Sequence, residues 1–376
     1  MAGIYIHIPF CKKRCIYCDF YSSTYQEYIP PLIDAIIKEL KERKDYLQNE
    51  TVETIYFGGG TPSLLTENEL GKILAAIFEN YPVEETAEIT LEANPDDLIS
   101  GEYLSSLRKL KINRLSIGIQ SFDDEKLKFL NRRHTAGQAI QAVRSAHEVG
   151  FNNISIDLIY AIPGQTFQQW EKELNIAFSL PIQHLSAYEL TYEKQTLLGK
   201  QKQKGLITPV DEEISIKMYE TLLEEAKKHR FERYEISNFA LPGFYSRHNS
   251  AYWEQKIYIG IGPSAHSYNS TSRQWNVSSV EKYIKAIEHQ EKYFEKEKLT
   301  LNQQYNEYLM VSLRTAEGLD LNKLEEKFGT ELKNECLKSL KIFMNNKMVT
   351  QDNEKLCLTT KGIQISNLII SELMRI

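Results

Sequence analysis

The sequence predicts an α/β protein: a partial (β/α)6 barrel followed by a smaller, mostly helical domain of winged-helix type. Three observations carry that reading. Apolar, β-rich runs alternate with amphipathic stretches through the first two thirds of the chain, the pattern of a parallel sheet built from βα units. Near residue 301 the pattern changes to short helices and a strand pair. At 376 residues the chain is long enough for one large core and a second, smaller unit. On this pattern it divides into a barrel over 1–235, a connecting region over 236–299 and a C-terminal domain over 300–376.

Six segments read as buried strands running into loops: GIYIHIPF, TVETIYFGGG, AEITLEANP, INRLSIGIQSF, NISIDLIYAIPG and HLSAYELTYE. Between them, polar and apolar residues fall at helical spacing over 31–47, 67–80, 137–149 and 167–180. Six consecutive units of this kind suit a partly or fully closed TIM-like barrel, in which chemistry gathers at the C-terminal ends of the strands. In the last part, QYNEYLMVSLRT, LNKLEEKFG and LKNECLKSLKIFMNN read as helices, MVTQDNEKLCLT as a strand pair and the remainder as a final helix. The charge run over 288–298 reads as a solvated helix face.

Composition narrows the function. Hydrophobic residues at 42% and charged residues at 26% suit a globular protein and exclude bulk disorder. A net charge of −6 gives no general attraction for nucleic acid, and the C-terminal domain has no stripe of Arg and Lys, so it reads as a packing or interaction unit. No apolar run approaches the ~20 residues that span a bilayer, and no basic segment leads into an apolar one at the N-terminus; the expected location is cytoplasmic. Structural disulfides are not expected there. Cys336 and Cys357, in apolar surroundings, read as small buried side chains.

The other three cysteines, Cys11, Cys15 and Cys18, form C-x3-C-x2-C directly after the first strand. A closed zinc site wants four ligands, commonly two C-x-x-C pairs, and no second pair exists, so zinc is the runner-up. Three thiolates can instead hold three irons of a [4Fe-4S] cluster and leave the fourth iron open to a small molecule. The strand ends point to a shared ligand beside it. FGGGTP closes the second strand, and three glycines in a row are costly in entropy unless a ligand or tight packing needs them. LEANP places Glu92 at the end of the third strand, GIQSF places Gln120 at the end of the fourth, and DLIYAIPGQT places Asp157 inside the fifth.

Together these motifs resemble the radical S-adenosylmethionine (SAM) superfamily. The resemblance implies that the free iron chelates the amino and carboxylate groups of SAM, and that Gly59, Gly60 and Thr61 meet its methionine amino end. It further implies cofactor contacts for Tyr5, Glu92, Gln120, Arg132 and Asp157, with Arg132 preferred to Arg133 on its spacing from Gln120. The whole set, with LRTAEGLD near the C-terminus, is similar to one narrow branch: oxygen-independent coproporphyrinogen III oxidases and the heme chaperones related to them.

Local features separate the two. The oxidases carry another cysteine two positions after the third, where this chain has Asp19 and Phe20 after Cys18, and they carry an N-terminal extension, whereas this chain enters its first strand at once. The stretch RHNSAYW, 247–253, matches the chaperones, whose heme binding is associated with that motif. A histidine beside two aromatic faces suits an iron porphyrin, with an axial bond from the imidazole and rings over the macrocycle. His248 is the expected heme ligand, accompanied by Asn249, Tyr252 and Trp253; His266 is second choice, and His7 is expected to pack near the cluster. The expected function is a heme chaperone carrying a [4Fe-4S] cluster, SAM and heme, with the radical decarboxylating oxidase as alternative. Its implied partners are heme and an acceptor hemoprotein, such as a respiratory cytochrome-containing enzyme reached by transient contact with a membrane protein, and no nucleic acid.

Overall fold

A computed structural model describes residues 2–375. Six parallel strands follow the chain: β1 (Ala2–Ile8), β2 (Val52–Gly59), β3 (Val83–Ala93), β4 (Arg114–Gln120), β5 (Ile154–Tyr160) and β6 (His184–Glu189). Strand periodicity sets their faces. In β1, Ile4, Ile6 and Ile8 are fully buried in the core, while the alternate residues Tyr5 and His7 meet the rings of Tyr56 and Tyr21.

The helices between them are α1 (Ile29–Glu42), α2 (Glu67–Asn80), α3 (Gly101–Lys109), α4 (Asp124–Phe129), α5 (Ala136–Glu148) and α6 (Phe167–Ser179). Capping boxes start three of them, Thr66 with Glu69, Thr135 with Gln138 and Thr166 with Gln169, satisfying backbone N–H groups that no helical carbonyl can reach. The sequence pattern overran α1, which starts two residues earlier with prolines in its first turn and stops at Glu42; Gln48 and Asn49, beyond it, adopt positive φ. Helices α7 (Leu197–Gln203) and α8 (Glu212–Lys228) complete the layer after β6.

The stretch 236–299, expected as a connection, belongs largely to the same sheet. The short β7 (Glu232–Arg233) and β8 (Asn238–Ala240) are followed by α9 (Arg247–Trp253), β9 (Ile257–Ile261), β10 (His266–Tyr268), β11 (Ser272–Asn276), α10 (Val280–His289) and β12 (Phe294–Lys298). Strand β9 lies parallel to β1 on the side away from β2, giving seven parallel strands where six were expected. The full order is β12-β11-β10-β9-β1-β2-β3-β4-β5-β6-β8-β7, so the barrel is open: β6 pairs with β8, not with β9. The charge run expected as a helix face ends α10 and then forms β12, an edge strand whose FEKEK side chains are mostly exposed, with only its other edge paired to β11.

The C-terminal domain has α11 (Leu301–Ser312), β13 (Leu319–Asp320), α12 (Leu321–Phe328), α13 (Thr330–Asn345), β14 (Val349–Asp352), β15 (Lys355–Leu358), α14 (Thr360–Gln364) and α15 (Ser366–Leu373). Its three strands pair in the order β13-β15-β14, the small wing expected of this module. Cys336 is buried as expected, but Cys357 is only half-buried, its thiol 3.6 Å from the carbonyl oxygens of Ala316 and Glu317. Among the described residues no helix is long and apolar enough to cross a membrane.

Candidate cofactor site

The cysteine loop leaves β1 at its C-terminal end and is stapled in place by backbone. Cys11 N–H donates to the Ser23 carbonyl (2.9 Å), Leu198 N–H to the Ile16 carbonyl (2.9 Å), and the Asn131 side chain to the Arg14 carbonyl (2.6 Å). All three cysteines are half-buried free thiols. Burial pushes the Cys11 and Cys18 thiols upward, so their thiolates need a compensating positive group. One cation is already there: Arg132 donates to Cys15 Sγ at 3.4 Å and also to the Asn94 side chain and the Gly118 carbonyl.

Thr61 closes the ring, its hydroxyl donating to Cys11 Sγ (3.6 Å) and accepting from Asn94 (3.2 Å). The loop and the ends of β2, β3 and β4 are thereby tied into one unit. Arg133, in contrast, pairs with Asp96 (3.0 Å) and Asp97 (3.2 Å), which separates the roles of the two neighbouring arginines.

Two glycines of FGGGTP have reasons within the protein. Gly59 adopts φ +113°, and a Cβ there would lie 2.7 Å from the His7 ring; one on Gly60 would lie 2.7 Å from the Phe10 carbonyl oxygen. Close packing of β2 on the start of the cysteine loop therefore requires both. His7 packs near that loop as expected, sharing a hydrogen bond with the Tyr5 hydroxyl (3.0 Å) and another with the Tyr21 carbonyl (3.3 Å). Burial lowers its imidazole to about 4, so it is neutral.

Glu92 accepts from the Tyr56 hydroxyl (2.7 Å) and the Gly59 N–H (3.2 Å), and burial raises its carboxyl to about 7. Asp157, held by Ser186 and Ser116, is raised to about 6 by the same cause. Gln120 ends β4 in a left-handed conformation (φ 71°), where the register with β5 slips. Two half-buried carboxyls that titrate near neutral pH and an arginine against a cysteine thus line the rim where the strands end.

His248 lies elsewhere. It is 2% exposed and sits beside Gly3 and Thr54, early residues of β1 and β2, at the end of the barrel opposite the cysteine loop. Glu88 accepts from the N–H groups of Arg247 and His248, both at 3.1 Å, which anchors the start of α9. The imidazole stacks on Tyr56 at 4.9 Å and uses both nitrogens, Nδ1 with the Thr54 hydroxyl (2.8 Å) and Nε2 with the Tyr252 hydroxyl (2.9 Å). Burial lowers it to about 3, which keeps it in the neutral form that ligates metals. Trp253 faces away from this cluster and its Nε1 is buried without a partner. His266, the second choice, is exposed on β10 beside Trp275.

Residues that pattern reading passed over complete the site. Asn94, within the quoted EANP, couples Thr61 to Arg132. Arg114 is 1% exposed, with Nε and Nη1 unpartnered, and its charge acts on Glu92, Asp157, Tyr56 and His248 alike. Its only signal was a charge opening an otherwise apolar strand.

The Radical SAM superfamily pattern matches residues 5–177, and the HemN C-terminal domain pattern matches residues 299–365. A heme chaperone HemW from Lactococcus lactis subsp. lactis is 36% identical over 370 residues, 98% of this chain and 96% of its own. The chain belongs to the HemW family. A HemW from Bacillus subtilis is 35% identical across 98% of this chain and 97% of its own. The fold of this HemW-family chain is that of coproporphyrinogen III oxidase (HemN) from Escherichia coli, a radical SAM enzyme. The two superpose with a TM-score of 0.86 over 99% of this chain and 90% of the other, at 22% identity.

Radical SAM membership brings a [4Fe-4S] cluster and SAM, and the HemW residues fit them. A cube would take each thiolate at a separate corner and supply the positive charge that the half-buried thiols call for.

Proposed function

We propose that the protein binds heme and hands it to an acceptor hemoprotein, working in the cytoplasm with a [4Fe-4S] cluster and SAM. The observation that carries this reading is α9, which within seven residues presents one imidazole, two aromatic rings and an indole N–H buried without a partner. Similarity along the whole chain to proteins named heme chaperone HemW supports it. In this reading Cys11, Cys15 and Cys18 hold the cluster, and Tyr5, Gly59, Gly60, Thr61, Glu92, Gln120, Arg132 and Asp157 receive SAM. His248, with Asn249, Tyr252 and Trp253, meets heme. The acceptor fits a respiratory cytochrome-containing enzyme, met through transient contact with a membrane protein.

When bound, the cluster supplies one-electron reducing power beside the SAM sulfonium. The chain's own part is positional: Arg132 orients Cys15, and a Glu92 that titrates near neutrality keeps the rim's charge low. Both imidazole nitrogens are engaged, so His248 can reach iron only after Tyr252 releases Nε2 or Thr54 releases Nδ1, and heme uptake there requires a shift of one of these partners or of α9.

The test is anaerobic reconstitution with iron and sulfide followed by hemin titration, with and without SAM. A shifted Soret band that changes in His248→Ala is expected; no shifted band, or the same band in the variant, overturns the reading. Formation of protoporphyrinogen from coproporphyrinogen III would favour the oxidase instead.

A further inference from the structure

On its other side, α9 lines a cleft of about 720 Å³ against the C-terminal domain, within the ~300–1,000 Å³ range of small-molecule sites. Five cationic side chains border it against three carboxylates, the reverse of the chain's net charge of −6. The carboxylates are engaged: Glu254 pairs with Lys256 (3.0 Å), Glu317 with Lys355 (3.8 Å), and Asp320 caps α12 by accepting from the N–H groups of Asn322 and Lys323. Among the described residues Arg233, Lys323 and Lys327 form no ion pair; Lys327 Nζ donates to the neutral Gln255 side chain (3.3 Å) and rests over the Tyr308 ring at 4.9 Å.

Unpaired cations beside an engaged set of acids select an anion. Aromatic walls select a flat apolar body between them: Trp253 lines the cleft, and Tyr245, stacked on Tyr234 at 4.7 Å, lines it as well. A small inorganic anion would leave those rings unused.

We infer that this cleft receives a porphyrin by its carboxylate edge, with Lys323, Lys327 and Arg233 pairing its carboxylates and Trp253 and Tyr245 flanking the ring. The inference rests on the heme reading above and deepens it. It places recognition of the ligand's acidic edge outside the barrel, between α9 and the C-terminal domain, and gives that domain a binding role.

Iron-free protoporphyrin IX separates this from iron ligation, because it has no metal for His248 to bind. Porphyrin fluorescence would be titrated against the full-length protein and against the double variant Lys323→Gln/Lys327→Gln, with circular dichroism confirming the fold of both. The variant is expected to bind the diacid about 10-fold more weakly, the loss typical of charge-assisted contacts, and to bind the dimethyl ester as the unmodified protein does. Equal affinity of the two proteins for the diacid overturns the cleft assignment while leaving the heme reading standing. If neither protoporphyrin IX nor hemin binds the unmodified protein, both readings fall.

Discussion

Replacing Glu92 by glutamine probes the electrostatics of the barrel rim. Burial, reinforced by the charge of Asp157, raises this carboxyl from 4.5 to about 7. The folded chain therefore keeps a proton that the unfolded chain has lost, and stability falls as pH rises from about 4.5, levelling off above about 7. Between pH 5 and pH 8 the two values give a loss of about 2.5 kcal/mol, an upper bound because Glu92 is not sealed from solvent. Glutamine has no proton to lose, and its amide can accept from Gly59 N–H while donating to the Tyr56 oxygen. Glu173 is raised by burial as well and contributes the same slope to both proteins, so the difference reports Glu92 together with its coupling to Asp157. Urea unfolding of the cluster-free proteins, followed by circular dichroism, should show Glu92→Gln gaining on the unmodified protein by up to that amount across the range. A difference that stays constant with pH refutes the reasoning.

Gly60→Ala should cost about 1–3 kcal/mol, read as a lower melting temperature, because the new Cβ meets a backbone carbonyl that cannot step aside; an unchanged melting curve counts against the packing argument. Arg132→Lys should lower iron content after reconstitution, since an ammonium cannot reach Cys15, Asn94 and Gly118 together, whereas Arg133→Lys should retain it; equal iron in both variants argues against the bridge. His248→Ala should destabilise the cluster-free protein by about 3 kcal/mol in urea, leaving Thr54 and Tyr252 without their partner; a change within error would mean the imidazole is not packed as described.

How much could be read in advance depended on whether the deciding interaction is local. Helix α2 was legible at both ends because its start is written into Thr66 and Glu69 and its apolar stripe runs through to Ile77. Strand β9 was not, because IYIGI is five residues long, abuts glycines, and owes its parallel pairing to β1, far away in sequence. The same limit governed the site. The cysteine spacing is local and marks the loop proposed to hold the cluster, whereas the link from Arg132 through Asn94 to Thr61 joins three segments far apart in sequence. RHNSAYW gave its residue types but not their division between the barrel interior, where His248 and Tyr252 pair, and the outer cleft, where Trp253 lies.

The pairing of Ile4 with Ile259 has a bearing on biosynthesis. Until the ribosome has released β9, the strand that feeds the cysteine loop has one flank of unmet amide and carbonyl groups, a template for joining another polypeptide. Any fragment cut before residue 257 would keep the thiols yet lose the strand that covers this flank, and would self-associate before it could be loaded with iron.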